Sequence, residues 1–121
     1  YKLMKKVLPG PYTFILNANT SIPKLFKNKK HEIGIRIPNN NIPREIVNEL
    51  GNPIATTSVK DDDMLIEYTT DPELINEYFG SQTDLIISGG YGETIPSTII
   101  RCTNRTPEIV RRGKGDTNLF Y

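Results

Sequence analysis

Cysteine and histidine are almost missing from this sequence: 121 residues contain only Cys102 and His31. A lone cysteine excludes an internal disulfide framework and permits a reducing compartment. With a single histidine, no histidine-based metal cluster can form, and a Ser-His-Asp triad would have to rest on His31. His31 lies in a lysine-rich loop and reads as a solvent-exposed bystander, so hydrolysis of that kind is set aside. Cys102 falls in a strand pattern and reads as core rather than nucleophile. No apolar run approaches the ~20 residues that a membrane-spanning helix needs. No apolar segment follows the N-terminal lysines as it would in a secretory signal. A Walker-type glycine-lysine loop is also missing. The first residue is Tyr1, already inside a helical pattern, so the chain reads as a piece of a longer protein.

Charge of one sign is absent from two stretches. Residues 1–31 carry seven lysines and no acid, and residues 61–84 carry eight acids and no base. Arg101, Arg105, Arg111, Arg112 and Lys114 then face a single Glu108 within residues 101–114. If the two basic segments meet, they form a positive surface suited to phosphates; if they do not, they are solvated faces that keep the protein soluble.

Leu3, Met4, Val7 and Leu8 recur at helical spacing, and Pro9-Gly10-Pro11 ends that helix. Tyr12 to Leu16 reads as a strand, with Tyr12 and Phe14 on one side. Asn17 to Lys30 reads as a surface loop with one turn of helix. Ile33, Ile35 and Ile37 alternate as a strand facing a core, with Gly34 and Arg36 on the other face. Asn39-Asn40-Asn41 caps a helix with an Ile42, Ile46, Val47, Leu50 stripe, closed by Gly51. Ile54 to Thr57 reads as a buried strand and Val59 to Thr70 as an acidic mobile loop. Asp71-Pro72 opens a helix carrying Leu74, Ile75, Tyr78 and Phe79, which Gly80 stops. Leu85 to Ile87, Thr98 to Cys102 and Glu108 to Arg111 read as strands, and the tail from Gly113 as loop. The mixture predicts an α+β fold, a sheet with helices on one side, and no domain boundary.

Thr56-Thr57-Ser58, Pro96-Ser97-Thr98, Arg36 and Arg111-Arg112-Gly113 place hydroxyls and arginines at strand ends. Hydroxyls donate to phosphate or carboxylate oxygens, and arginine offers those oxygens a planar two-pronged donor. Taken singly, each serine or threonine is explained as a turn cap. Together they define a generic oxyanion binder, and residue patterning goes no further. The glycine-rich Ser88 to Gly92 segment, taken alone, reads as a plain turn.

The order of these elements carries a resemblance. Pro9-Gly10-Pro11-Tyr12-Thr13 followed by Ile35-Arg36-Ile37-Pro38 resembles the PGPYT and VRxP motifs of the YrdC-like family. Pro53 to Ser58 looks like the approach to that family's Ser-Ala-Asn motif, and Asp84 to Gly90 is similar to its DxIIDGG turn. Pro96-Ser97-Thr98-Ile99-Ile100 and Val110 to Gly115 are similar to its (E/P)STII and LRxGxG segments. Six blocks in order cover nearly the whole chain. The Gly90-Tyr91-Gly92 turn and Pro96 lean towards the YciO branch. The chain thus resembles roughly the C-terminal two-thirds of one YrdC-like domain, with the family's Lys-Arg substrate motif expected upstream of Tyr1.

The resemblance implies a twisted mixed sheet with flanking helices and a positively charged concave cavity, in a cytoplasmic protein. It implies L-threonylcarbamoyladenylate synthesis from L-threonine, bicarbonate and ATP, with Mg²⁺, serving N6-threonylcarbamoyladenosine formation in tRNA. By position, Arg36, Thr56 and Ser97 would bind L-threonine, and Ser58 and Arg111 would bind ATP, with Thr13 and Thr98 as second choices. Ser58-Val59-Lys60 stands in place of Ser-Ala-Asn, and Lys60 would be a substitute phosphate contact. The alternative is a non-catalytic module of the same fold that binds double-stranded RNA or tRNA. This chain alone is expected to be inactive, and an exposed sheet edge would favour self-association.

Overall fold

The computed structural model describes residues 1–59 and 70–121. They fall into two compact units, Tyr1–Ala55 with Ile95–Tyr121, and Thr56–Thr94.

The first unit is built on a four-stranded sheet. Its strands are β1 (Tyr12–Asn17), β2 (Glu32–Arg36), β3 (Thr98–Arg101) and β4 (Glu108–Arg111), in the order β2-β1-β3-β4. β1 runs antiparallel to β2 and parallel to β3, and β3 runs antiparallel to β4. The sheet is therefore mixed, as expected. Residues opposite each other share a face, so the register sorts the side chains. Tyr12 lies opposite Thr98, and Phe14 lies opposite Ile35 on one side and Ile100 on the other. Tyr12, Phe14 and Ile100 are buried on this face. Helix α1 (Lys2–Val7) packs Leu3, Met4 and Val7 against it and leaves its lysines exposed.

Phe120 completes the core from the C-terminal tail, where a 3-10 turn spans Asn118–Phe120. Its ring lies 5.8 Å from that of Tyr12 and 6.1 Å from that of Phe14. The tail was expected to be loop only. A short apolar end, Leu119-Phe120-Tyr121, carries no periodicity from which the burial of its middle residue could be read.

Helix α2 (Asn41–Leu50) begins where the Asn40 side chain accepts a hydrogen bond from the Ile42 N–H. It ends at Gly51, whose left-handed φ of 74° suits a residue without a side chain. In the second unit, helix α3 (Pro72–Phe79) is capped by Asp71, which accepts from the Glu73 N–H at 3.0 Å. Gly80 does not stop this helix with a left-handed turn. It stays right-handed at φ −58°, and the chain tightens into a 3-10 turn over Gly80–Gln82.

Three strand expectations need correction. Ile54 to Thr57 forms no regular structure and is exposed. Leu85 to Ile87 is irregular too, with Leu85 75% and Ile87 53% exposed. A short apolar run becomes a strand only when a neighbour takes its backbone hydrogen bonds, and among the described residues neither segment has one. Ile35 does point to the core face, but β2 is an edge strand and Ile35 remains 36% exposed, while Ile37 lies past the end of β2 and is 42% exposed. The acidic loop lies almost wholly outside the described residues, as does Lys60. Among the described residues no helix is long and apolar enough to cross a membrane.

The register makes a contrast measurable by urea denaturation. Phe14→Ala is expected to cost about 3–5 kcal/mol. Ile35→Ala, on the same face but at the open edge, is expected to cost about 1 kcal/mol.

Candidate functional site

The sheet's other face carries the polar residues. Thr13 points there because Tyr12 and Phe14, its neighbours in a period of two, point to the core. Arg36 lies directly opposite Thr13. Ser97 precedes Thr98, which faces the core, and its hydroxyl lies 2.8 Å from that of Thr13. Arg111 reaches the same serine: its Nε and Nη2 donate to the Ser97 carbonyl at 3.0 and 2.8 Å, and Nη2 also donates to Ser97 Oγ at 3.2 Å. Thr13, Arg36, Ser97 and Arg111 thus form one cluster.

Arg111 reaches this face through a β-bulge. Ile109 lies opposite Ile100, yet Arg111 lies opposite Ile99, so Val110 is an extra residue in β4. Without the bulge, Ile109 and Arg111 would share the core face. The inserted residue turns the arginine over to the side of Thr13. Strict alternation misses this. The signal that carries it is the adjacent apolar pair Ile109-Val110, where alternation calls for one apolar residue.

A buried hydroxyl holds the following loop. Thr98 Oγ1 donates to the Gly115 carbonyl at 2.7 Å and accepts from the Gly113 N–H at 3.1 Å. The Lys114 N–H donates to the Pro96 carbonyl at 2.9 Å. A Cβ on Gly113 would sit 2.3 Å from the Pro96 carbonyl oxygen, and one on Gly115 would sit 2.4 Å from the Tyr12 ring. Both glycines are therefore required by close packing.

Electrostatics favour an anion here. Farther along the polar face, buried Glu32 accepts from Arg101 Nε at 3.3 Å, and Glu108 accepts from Arg101 Nη1 at 3.5 Å. The hydrogen bond and charge of Glu32 hold the Arg101 guanidinium above its ordinary pKa. The two carboxylates of this face are thereby matched to one guanidinium. Arg36 has no hydrogen-bond or ion-pair partner among the described residues. Arg111 keeps Nη1 uncommitted, and such planar donors suit carboxylate and phosphate oxygens. Gly34, opposite Ile15, leaves the surface low beside Arg36.

The sequence candidates thus divide. Arg36, Ser97, Arg111 and Thr13 come together. Thr98 lies on the core face, and its hydroxyl is occupied on both sides by the glycine loop. Thr56 and Ser58 belong to the second unit, exposed and without regular structure. His31 is exposed, and Cys102 packs half-buried against the core, where burial pushes its thiol pKa up. Among the described residues no group of three or more histidine, cysteine, aspartate or glutamate side chains is placed to hold a metal ion.

A family model for Sua5, YciO and YrdC, described as telomere recombination, matches residues 1–113. YciO of Escherichia coli, a protein of uncharacterised function, is 42% identical over 124 residues, covering 99% of this chain and 58% of that protein. Its crystal structure matches with a TM-score of 0.89 at 40% identity, over the same shares of the two chains. A Methanocaldococcus jannaschii protein provisionally named threonylcarbamoyl-AMP synthase is 34% identical over 112 residues, covering 93% of this chain and 51% of that protein. The crystal structure of P. abyssi Sua5 complexed with L-threonine matches with a TM-score of 0.77 at 26% identity, covering 93% of this chain and 33% of that one. The chain therefore spans little more than half the length of the curated relatives it matches.

The packing around Ser97 separates two substitutions. Gly113→Ala is expected to destabilise the fold by about 1–3 kcal/mol, because the backbone of Pro96 and Ser97 cannot yield to a methyl group. Ser97→Ala leaves the carbonyl that holds Arg111 and is expected to cost about 1 kcal/mol. Urea denaturation of both variants checks the order.

Proposed function

Because this chain belongs to the Sua5/YciO/YrdC family, we propose that its polar sheet face serves L-threonylcarbamoyladenylate synthesis. In that reaction the amino nitrogen of L-threonine takes up the carbon of bicarbonate, giving a carbamate and water. A carbamate oxygen then attacks the α-phosphorus of ATP. The bond to the bridging oxygen breaks, and pyrophosphate leaves with its electron pair. There is little covalent work for the protein, whose task is positioning and charge neutralisation.

The observation that supports this reading is the placement of Arg36, Thr13, Ser97 and Arg111 on one face. Arg36 would clamp the threonine carboxylate. Ser97, oriented by Thr13 and Arg111, would line the amino-acid pocket. Arg111, anchored through Nε and Nη2, would turn Nη1 to an ATP phosphate. Thr56 in the amino-acid pocket and Ser58 at ATP rest on the sequence resemblance alone. The described residues offer no carboxylate cluster for Mg²⁺, which would enter on the phosphates of ATP and neutralise part of their charge. The product would feed N6-threonylcarbamoyladenosine formation in tRNA, in the cytoplasm.

The test is calorimetric binding of L-threonine and ATP, with pyrophosphate release followed in the presence of bicarbonate. It is run on this chain and on a version extended to the full length of its relatives. Binding and turnover by the extended version are expected, with threonine affinity lowered about tenfold or more in Arg36→Ala. Failure of both versions to bind either substrate, with salt-sensitive RNA binding retained, would replace the enzyme reading with a double-stranded RNA or tRNA module.

A further inference from the structure

The connection from β1 to β2 contains Lys24, Lys27, Lys29 and Lys30 and no acidic residue. It is held by its own hydrogen bonds. Asn28 Oδ1 accepts from the backbone N–H groups of Lys30 and Glu32, both at 2.9 Å. The His31 N–H donates to the Asn28 carbonyl at 3.0 Å, and the Ala18 N–H donates to the His31 carbonyl at 2.7 Å. His31 takes a left-handed φ of 56° to close this turn. Lys27 Nζ donates to the Asn19 carbonyl at 3.2 Å, and the Ser21 N–H donates to Asn19 Oδ1 at 3.0 Å. A 3-10 turn over Lys24–Phe26 completes the loop.

Lys24, Lys27, Asn28, Lys29 and His31 line a cleft of about 250 Å³ in this loop. Three lysines thus line one concavity, and the next acid along the chain, Glu32, is buried against Arg101. Among the described residues no ion pair neutralises these lysines. A multiply charged anion would do so, and lysine ammoniums meet phosphate oxygens without demanding a fixed plane. Asn28, with its Oδ1 committed, keeps its NH₂ group as a further donor. The cleft lies at the end of the hairpin away from the Thr13 and Arg36 pair, about 13 Å along β1 at strand spacing.

We propose that this cleft is a second anion site, separate from the polar sheet face, that binds an oligophosphate of di- or triphosphate size. The loop's internal hydrogen bonds set the cleft before any ligand arrives, which reduces the ordering cost of binding. Lys24, Lys27 and Lys29 line one cleft of about 250 Å³, and a volume of that size fits a compact anion better than an extended polymer. The site does not depend on the synthase reading.

The test is calorimetric titration of tripolyphosphate at low ionic strength, with amide NMR shifts of Asn28 and His31 followed in parallel. The double variant Lys24→Ala/Lys29→Ala is expected to weaken binding about tenfold or more, while Lys2→Ala/Lys6→Ala, which removes equal charge from α1, changes it less than about twofold. Arg111→Ala should retain both the binding and the shifts. These lysines are exposed, so circular dichroism should stay unchanged in both double variants. Equal weakening by the two lysine pairs would reduce the effect to net charge and overturn the proposal. No saturable binding, loss of binding in Arg111→Ala, or binding of single-stranded RNA without tripolyphosphate would also overturn it. If threonine and ATP fail to bind, the tripolyphosphate result stands by itself.

Discussion

Strand β1 has hydrogen-bonded neighbours on both edges, and that constraint orders the first unit. Its backbone groups are taken by β2 and β3, so its side chains have only two directions available. Tyr12 and Phe14 enter the aromatic cluster with Phe120, and Thr13 is turned to the opposite face. One strand therefore builds the core and begins the polar site. A register slip of one residue would bury the hydroxyl and expose both rings, which is why core and site cannot vary independently here.

The remaining site residues are brought to Thr13 by departures from regularity. The bulge at Val110 turns Arg111 to the polar face, while Ile109 still faces the core opposite Ile100. The guanidinium then closes on the Ser97 carbonyl and hydroxyl, which fixes the arginine while leaving one nitrogen uncommitted. Arg36 has no comparable anchor among the described residues. One guanidinium is set in advance and the other is left to find an oxygen. That division suits a site in which one ligand group is held rigidly while a second is gathered in.

Legibility in the sequence followed the range of the forces involved. Local signals were readable: Asn40 and Asp71 cap the helices expected of them, and Gly51 ends α2 in the left-handed turn that glycine permits. Strands with clear alternation, Tyr12–Asn17 and Glu32–Arg36, were readable as well. Ile54 to Thr57 and Leu85 to Ile87 were not, because a strand is made by its neighbour as much as by its own residues, and a short apolar run does not name one. Phe120 was missed for the same reason, since its burial depends on rings more than a hundred positions earlier. In the site, residue patterning singles out Arg36, Ser97 and Arg111 as oxyanion donors at strand ends and the motif resemblance assigns their roles; alternation alone would put Arg111 on the wrong face.

Thr98 shows how a motif mixes two kinds of necessity. The threonine and both glycines of the Arg111-Arg112-Gly113-Lys114-Gly115 segment are explained without any ligand. A buried hydroxyl must find partners, and it finds the Gly113 amide and the Gly115 carbonyl; the glycines leave room for the Pro96 carbonyl and the Tyr12 ring. Arg111 is different, because its packing uses only part of its donor set, and a residue that shape alone required would not need an uncommitted charged nitrogen. The two glycines, with Thr98, hold β3 against the loop, while Arg111 keeps a charged donor available for the proposed ligand. Substitutions at the glycines would therefore act on stability, whereas one at the arginine would act on the proposed ligand while leaving the sheet intact.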